Sequence, residues 1–313
     1  MRASFARRQS LSRASDAPSA QSVRELNHQM DRDPSPADAK PVTVDPRDVL
    51  AHAARSTSDS DASASDADDG ATSDPIDYDE PLLAQLARLG DAYDAWVTRA
   101  RLGATSTRLF RNPALEALSK THWSVVPVFW VPVIAYVLYC GCVKVIEDGR
   151  SAAFASAVFV ASARGAWPTF EYVIHRFVFH AKRRRERRWA IWNQLHYLFH
   201  GCHHKHPQEL LRLVFPLTVS VPVGYAAARA CAAVFASGYA EFAAAGFQFG
   251  YLTYDMTHYA VHGNLFGLGD HALKRRRVKH LRHHYDDHTS GFGVTSSALD
   301  AVCGTLPSAH AKL

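Results

Sequence analysis

The chain has 313 residues, and its formal net charge of +5 at pH 7 combines an acidic first part with a basic remainder. Residues 1–80 contain 9 Lys and Arg against 16 Asp and Glu, whereas the remaining residues contain 26 against 14. The basic runs adjoin apolar stretches and no nucleic-acid-binding module is recognisable, so the charge favours anionic lipid headgroups over nucleic acid as the partner.

The first segment, residues 1–78, is rich in Ser, Ala and Asp and is predicted to be a disordered, low-complexity tail. Its first fifteen residues carry four arginines and no acid, a composition a little like that of a transit peptide. The next segment, residues 79–122, contains two amphipathic stretches, Pro81 to Leu89 and Leu102 to Leu118. These are expected to lie on a membrane surface as interfacial helices or to pack against the following domain.

Residues 123–307 contain four apolar stretches of about the length, roughly 20 residues, that a transmembrane helix needs. They run from Val125 to Ile146 and over about 152–174, 213–236 and 240–256. The second stretch carries Arg164 and Glu171, which are expected to face a protein interior or to require a tilted helix. Only a few residues separate the first stretch from the second and the third from the fourth, so each pair is predicted to form a hairpin.

Two basic runs, residues 182–188 and 274–279, each follow an even number of predicted spans and therefore lie on one side of the membrane. The positive-inside tendency makes that side cytosolic. The chain ends in a short tail, residues 308–313, whose last three residues, Ala311-Lys312-Leu313, resemble the Ser-Lys-Leu peroxisomal signal. A peroxisomal or glycosomal location is the alternative that this tripeptide favours.

Ten histidines form four clusters where apolar stretches meet basic ones: His175 with His180; His200 with His203 and His204; His258 with His262; and His280 with His283 and His284. Residues three or four apart share a helix face, so the members of each of the last three clusters are predicted to converge on a single point. The members of the first are five apart and are expected to straddle a helix end. Ten imidazoles exceed what one ion accepts, which predicts two metal ions with about five nitrogens each. The predicted topology places every cluster on the cytosolic side.

Pure imidazole ligation suits zinc, copper, iron or nickel about equally, so the ligand type leaves the metal open. Glu171 and Asp255 precede His175 and His258 by one helical turn and are expected to orient those rings. Zinc differs from the other three metals in being redox-inert, so it could not support oxidation chemistry at such a site.

Other histidines and the cysteines carry weaker signals. His196 is a candidate ligand or supporting residue because it lies one turn before His200. Five cysteines without a C-x-x-C pair predict a reducing compartment and no disulfide framework, and Cys202 is expected to be a bystander. The histidines outside the repeated pattern are His28, His52, His122, His206, His271, His288 and His310.

The residues around the clusters carry a family resemblance. Residues 170–180 read FEYVIHRFVFH, residues 195–204 read LHYLFHGCHH and residues 212–216 read RLVFP. Further along, YDMTHY (254–259), HLRHHY (280–285), GFGVTS (291–296) and DAVCGT (300–305) extend the match. Over about residues 110–306 the chain resembles the fatty acid 2-hydroxylases, which act on sphingolipid acyl chains.

This resemblance implies an all-α membrane protein with four transmembrane helices and a cytosolic helical cap that holds a histidine-rich dimetal centre. It implies a multi-pass enzyme of the endoplasmic reticulum membrane that uses O2 and electrons from cytochrome b5 and its reductase. The implied reaction hydroxylates C2 of the long acyl chain of ceramide or its precursor. Two iron ions are the implied cofactors, with zinc possible as a substituent. The implied ligands, which are also the catalytic residues, are His175, His180, His200, His203, His204, His258, His262, His280, His283 and His284.

The sequence departs from the family pattern at two places. It contains no His-Pro-Gly-Gly haem motif, so cytochrome b5 is expected to be a separate protein, and Gly263 follows His262 where relatives often have another histidine. Two other functions stay open: another membrane di-iron oxidase or desaturase acting on a sterol or lipid, and a non-catalytic zinc-binding membrane protein. Five aromatic residues are expected either to line an acyl-chain groove or to be ordinary packing residues: Tyr172, Phe199, Phe247, Tyr251 and Tyr259.

Overall fold

The computed structural model describes residues 74–101, 106–181, 190–263 and 271–307, and within these ranges the chain is helical with no β-strand. This confirms the all-α fold class for the described residues. The helices are α1 (Leu82–Gln85), α2 (Ala92–Val97), α3 (Pro113–Leu118), α4 (Val125–Glu147), α5 (Ala152–Ala161), α6 (Trp167–Ile174), α7 (Ala190–His196), α8 (Cys202–Lys205), α9 (Leu217–Val234), α10 (Tyr239–Gly263), α11 (His271–Tyr285) and α12 (Ala298–Val302).

Short non-α turns join several of these helices. Two 3₁₀ turns lie at Leu86–Arg88 and Leu210–Arg212. Three π-helical turns follow α5, α6 and α7, at Ser162–Ala166, His175–Phe179 and Tyr197–Gly201. A π-helical turn inserts an extra residue into a helix and is common at functional sites. Two of the three turns contain histidines of the predicted site.

Helix α10 is the centre of the bundle and packs against α4, α5 and α9. Small residues on α10 let the neighbouring backbone come close. A Cβ atom on Gly246 would lie 2.4 Å from the Phe159 carbonyl oxygen, so only glycine permits this approach. Next to this contact the Ser162 hydroxyl donates a hydrogen bond to the Ala243 carbonyl over 2.7 Å.

The two short connectors, predicted to make hairpins, lie at the same end of the bundle. The backbone N–H of Ser151, just before α5, donates to the Tyr239 hydroxyl at the start of α10 over 3.1 Å. Lys144 near the end of α4 forms an ion pair with Glu241 at 2.5 Å. The histidines belong to the opposite end, because His258 lies near the C-terminus of α10.

Two helical stretches of the described chain are long and apolar enough to cross a membrane, Val125–Glu147 and Leu210–Val234. Large apolar side chains on both point outward, including Val128, which is 73% exposed, and Val234, which is 76% exposed. The other two predicted spans do not meet this criterion. The second contains the π turn with Arg164, and α10 contains polar and charged residues that lower its hydropathy, among them Glu241, Gln248 and Asp255. The four-span topology therefore stays a prediction.

Buried side chains from residues 76–97 and Leu109 form a second core that packs on the histidine-bearing segment. This core contains Ile76, Leu82, Leu86, Leu89, Tyr93, Trp96, Val97, Leu109, Tyr197 and Cys202. The Lys205 amine reinforces it by donating to the carbonyl oxygens of Trp96 (3.0 Å) and Arg99 (2.9 Å). The stretch Pro81 to Leu89 thus packs against the domain, whereas α3 has no buried residue.

Several sequence predictions fall outside the described residues. They are the predicted tail up to residue 73, the basic run 182–188 and the C-terminal tripeptide. Residues 74–78 of the predicted tail are described, and Ile76 is buried in the second core. Of the cysteines, Cys140 and Cys142 lie on α4, and Cys202 belongs to the second core.

We expect Gly246→Ala to destabilise the protein by about 1–3 kcal/mol, because the added methyl group must push α5 away from α10. Gly165→Ala is the matched control, since a Cβ at that helical glycine meets nothing within 4 Å. Thermal unfolding of the two purified variants in detergent measures the difference. Equal melting temperatures for the two variants would contradict this account of the α5–α10 contact.

Candidate metal centre

The ten predicted histidines come together as two groups of five. The first cluster consists of His175, His180, His200, His204 and His283, and the second of His203, His258, His262, His280 and His284. Within each cluster one nitrogen from every ring lies within 4.8 Å of the others. Nearly all of these side chains are buried. The sequence predicted two ions with about five nitrogens each, and the structure has two clusters of five rings.

A π-helical turn brings His175 and His180 into the same cluster. On an α-helix, residues five apart point well away from one another. Here the His180 N–H donates to the His175 carbonyl over 3.0 Å, which is the i→i+5 bond of a π-helix. The helix ends at His180, as the sequence predicted.

The two H-x2-H-H motifs divide their histidines between the clusters. His200 and His204 belong to the first cluster, whereas His203 belongs to the second. The prediction that all three converge on one point was wrong, because neighbouring residues on a helix point about 100° apart. The rings of His200 and His204, four residues apart, share a helix face, whereas the ring of His203 belongs to the other cluster.

The second motif has the opposite arrangement: His280 and His284 belong to the second cluster and His283 to the first. The two motifs therefore interlock, since each supplies a pair to one cluster and a single ring to the other. Both clusters depend on residues from distant parts of the chain.

Ring nitrogens approach one another at the spacing of ligands on one ion. In the first cluster the His200 Nε2 lies 2.9 Å from the Nε2 atoms of both His180 and His204. In the second, His203 Nε2 to His258 Nε2 is 2.9 Å and His262 Nε2 to His280 Nε2 is 2.8 Å. Two nitrogens at right angles on an ion, each about 2.1 Å away, would be separated by about 3 Å. The donor sets therefore fit metal ions.

Three rings are oriented by backbone carbonyls through their second nitrogen. The Nδ1 atoms of His175, His258 and His283 lie 2.6, 3.1 and 2.7 Å from the carbonyl oxygens of Phe292, Leu213 and Ser290. A ring that donates from Nδ1 has its Nε2 lone pair free for a metal. The buried Nε2 of His175 has no hydrogen-bond partner among the described residues, as expected for a ligand atom.

Glu171 orients His175 through a loop. Its carboxylate accepts hydrogen bonds from the backbone N–H groups of Val294 (2.5 Å) and Thr295 (3.1 Å) and from the Thr295 hydroxyl. These contacts hold the loop whose Phe292 carbonyl accepts from His175. The sequence predicted that this carboxylate orients the ring, and the described contacts run from the carboxylate to the ring through the loop backbone.

Asp255 repeats this arrangement at the second cluster. It is fully buried and accepts from the Tyr251 hydroxyl at 3.0 Å and from the Phe215 N–H at 3.3 Å. Phe215 follows the Leu213 carbonyl that accepts from His258. Each cluster thus has a buried carboxylate that holds a loop, and the loop carbonyl in turn holds a ring.

Asp300 is a functional residue that the spacing argument missed. Its buried carboxylate accepts from the N–H groups of Phe292 (2.9 Å) and Gly293 (3.1 Å) and from the Lys279 amine (2.5 Å). It therefore holds the same loop as Glu171. Asp300 opens the quoted string 300–305, but its spacing gave no sign that it binds N–H groups seven and eight residues earlier.

Burial makes the cluster histidines neutral. Loss of solvation, and next the neighbouring imidazoles, hold the pKa of His200, His204 and His284 well below its usual range. Only the neutral imidazole can offer a lone pair to a metal. The clusters are therefore ready to bind cations near neutral pH.

Four other histidines with described side chains belong to neither cluster: His122, His196, His206 and His288. His196 Nδ1 is 2.8 Å from the hydroxyl of Tyr93 in the second core, and its ring centre is 6.2 Å from that of His200. The ring of His288 lies 5.3 Å from that of His204, and His206 packs edge-on against Tyr78. His122 is exposed and contacts Ser124.

Two mainly apolar cavities meet beside the first cluster. One, of about 290 Å³, reaches from Leu115 and Leu118 of α3 to rings of both clusters. The other, of about 300 Å³, extends between α4, α6, α9 and α10. His175, Phe199, Phe215, Val219 and Tyr254 line both. Of the five aromatic residues considered for a groove, Phe199, Phe247 and Tyr251 line the second cavity, whereas Tyr172 bonds to Thr305 and Tyr259 packs in the helical core.

Comparisons with known proteins place these features in a family. Residues 160–305 match the model of the fatty acid hydroxylase family. Two dihydroceramide fatty acyl 2-hydroxylases of Arabidopsis thaliana are similar to this chain. One is 35% identical, and the match covers 74% of this chain and 93% of the relative. The other is 36% identical, and the match covers 75% of this chain and 95% of the relative. The solved structure of full-length scs7p, with only the hydroxylase domain visible, superposes with a TM-score of 0.68 at 34% identity. That match covers 76% of this chain and 88% of the other.

We expect His203→Ala and His204→Ala each to lower the metal content by one ion per chain, because these adjacent residues serve different clusters. The double variant should lose both ions. Elemental analysis of the purified proteins measures this, with His122→Ala as the control. Loss of both ions from either single variant would show that the clusters do not bind independently.

We expect Glu171→Ala to weaken metal binding at the first cluster by about 10–100-fold, because the loop that orients His175 loses its anchor. Titration of the metal-free protein with a competing chelator measures the affinities at the two clusters. Glu147→Ala, at the exposed end of α4, is the control. Unchanged affinity at the first cluster would refute the positioning role.

Proposed function

We propose that this chain, which belongs to the fatty acid hydroxylase family, is a fatty acid 2-hydroxylase. The proposed reaction inserts a hydroxyl group at C2 of the long acyl chain of ceramide or a related sphingolipid. The convergence of ten histidines, eight of them buried, on two points beside apolar cavities carries the proposal. The names of the Arabidopsis relatives support both the position of attack and the lipid class.

The ten histidines are proposed as the catalytic residues and as the ligands of two iron ions, five to each ion. The bound iron would supply the redox chemistry with O2 that side-chain acids and bases cannot perform on an unactivated C–H bond. Zinc suits imidazole equally well but is redox-inert, so zinc would be a substituent. The protein's own contribution is to hold neutral rings in fixed directions through the carboxylate-held loops.

The acyl chain is proposed to lie in the second cavity, with C2 beside His175 where the two cavities meet. The polar end of the lipid would then extend through the first cavity towards α3. In this position the carbon next to the amide group is the one nearest the first cluster. This placement, with the polar end of the lipid in one cavity and the acyl chain in the other, would favour attack at C2 rather than further along the chain.

Aromatic side chains are proposed to exclude bulk water from the first cluster. The Phe179 ring stacks on His200, with ring centres 4.7 Å apart. The Phe292 ring packs against His175, His180 and His283, each at a centre-to-centre distance of 5.6 Å. A dry site strengthens electrostatic interactions and limits side reactions of activated oxygen.

The protein is proposed to span the endoplasmic reticulum membrane four times with its catalytic face in the cytosol. The two membrane-capable helices support a membrane location, and the shared end of the two connectors supports paired hairpins. The basic helix α11 would lie on the cytosolic side by the positive-inside tendency. Electrons are proposed to come from a separate cytochrome b5 and its reductase, as the family resemblance implies.

Two other functions make different predictions. A desaturase or another di-iron oxidase acting on a sterol or lipid would remove two hydrogens or oxidise another substrate, whereas a hydroxylase adds one oxygen. A non-catalytic zinc-binding membrane protein would show no iron-dependent turnover. The 2-hydroxylase names of the relatives favour hydroxylation over both.

We expect cells that lack endogenous 2-hydroxylase to accumulate ceramides heavier by one oxygen when they express this chain with cytochrome b5. Fragmentation in the mass spectrometer should place the added hydroxyl on C2. The His203→Ala, His204→Ala double variant should reduce this product at least about 100-fold, because each substitution removes a ring from one cluster.

His122→Ala is the control, since His122 is exposed and lies outside both clusters. A desaturated lipid or an oxidised sterol in place of the 2-hydroxy product would establish the rival oxidase function. Absence of every product from iron-loaded, membrane-localised protein would reject the hydroxylase proposal.

A further inference from the structure

Helix α7 presents an apolar side to its surroundings. Three of its side chains, Ile191, Trp192 and Leu195, are 55%, 51% and 37% exposed. Successive residues of an α-helix differ by about 100° around the axis, so these three side chains lie within one sector of about 100°. The helix therefore exposes a continuous apolar surface, which we call the α7 face.

The other side of α7 packs on the second core. The Gln194 amide donates to the Leu83 carbonyl over 2.9 Å, and Tyr197, the residue after the helix, is fully buried. The ring centres of Tyr197 and Trp96 are 5.7 Å apart. A surface helix in water buries its apolar side and exposes its polar side. Helix α7 has the opposite orientation, which suits a helix whose outer surface contacts an apolar medium.

A neighbouring segment adds further exposed apolar side chains. Phe177 and Val178, just after α6, are both more than half exposed. The next residue, Phe179, stacks on the ring of His200, which follows Phe199 in the π turn after α7. The ends of α6 and α7 are therefore adjacent. Single exposed apolar residues are common on proteins, whereas a group of them marks a surface that another molecule covers.

Charge and the nearby cavities favour a lipid membrane as that molecule. The sequence that connects the two segments contains six Lys and Arg against one Glu at residues 182–188. An apolar helical face beside a basic run is typical of an interfacial helix on anionic lipid, and tryptophan is enriched at the membrane interface. Phe199, four residues beyond Leu195, lines both apolar cavities, so the α7 face leads to a region that already suits lipid.

We propose that α7 is an interfacial helix whose Ile191, Trp192 and Leu195 side chains insert into a membrane leaflet with anionic headgroups. This contact is additional to the membrane-spanning helices. Because the inner side of α7 packs on the second core, the contact also ties that core to the membrane surface. The inference concerns membrane binding alone and does not depend on which reaction the protein catalyses.

The test measures the fluorescence of Trp192 in nanodiscs of phosphatidylcholine and phosphatidylserine, because bromine atoms on lipid acyl chains quench the indoles that they approach. The difference in emission between the unaltered full-length protein and Trp192→Phe gives the contribution of Trp192. We expect brominated phosphatidylserine to remove most of this contribution. An unchanged contribution overturns the proposal, as it would if a second copy of the chain covered the α7 face.

Trp96→Phe is the control. Trp96 is buried in the second core, and its indole N–H donates to the Asp74 carboxylate over 3.1 Å. The contribution of Trp96, obtained from the same kind of difference, should be equal in brominated and unbrominated nanodiscs. Equal quenching of Trp96 and Trp192 would contradict a specific contact between the α7 face and the lipid.

A second comparison tests the preference for anionic lipid. The bromine label is placed at the same mole fraction either on phosphatidylserine or on phosphatidylcholine. Because the basic run attracts anionic headgroups, brominated phosphatidylserine should quench Trp192 more strongly at low salt, and this excess should disappear at high salt. Equal quenching by the two lipids at low salt overturns the anionic preference. Neither comparison requires hydroxylation, so failure of the proposed function would leave both valid.

Discussion

The structure depends on the convergence of ten neutral imidazoles in two buried clusters. Nitrogens such as those of His200 and His204 lie 2.9 Å apart, a distance at which two charged rings would repel strongly. Burial keeps the rings neutral, and neutral rings at this spacing suit coordination to a shared cation. The interlocked H-x2-H-H motifs mean that neither cluster is complete unless the segment that contains His200, His203 and His204 meets α11.

The same arrangement of hydrogen bonds fixes the direction of one histidine ring in each cluster. A buried carboxylate, Glu171 at one cluster and Asp255 at the other, holds a loop through backbone N–H groups. A carbonyl of each loop then accepts from the histidine one turn beyond the acid. The carboxyl group holds the loop, and the loop carbonyl in turn orients the histidine ring. This arrangement fixes the ring orientation without a described contact between the carboxyl group and the ligand nitrogens.

The central helix α10 connects the lipid-facing bundle to the clusters. Its small residues admit α5 at close range, its C-terminal part supplies His258 and His262, and its middle part lines the second cavity. One rigid element therefore sets both the position of the rings and the shape of the cavity. A change at Gly246 is consequently expected to affect stability and site geometry together.

The sequence by itself determined the helical class, the short connectors, the ten histidines and their division into two groups of five. Helical spacing and imidazole chemistry are local properties, so residue order is sufficient for them. Tertiary structure decided which ring joins which cluster, because neighbours such as His203 and His204 point in different directions and only the packing of α8 against α11 assigns their partners. It also decided that Glu171 and Asp255 act through loops and that Asp300 holds one of those loops. These contacts join residues far apart in the chain, and spacing along a sequence carries no information about which distant backbone atoms will meet.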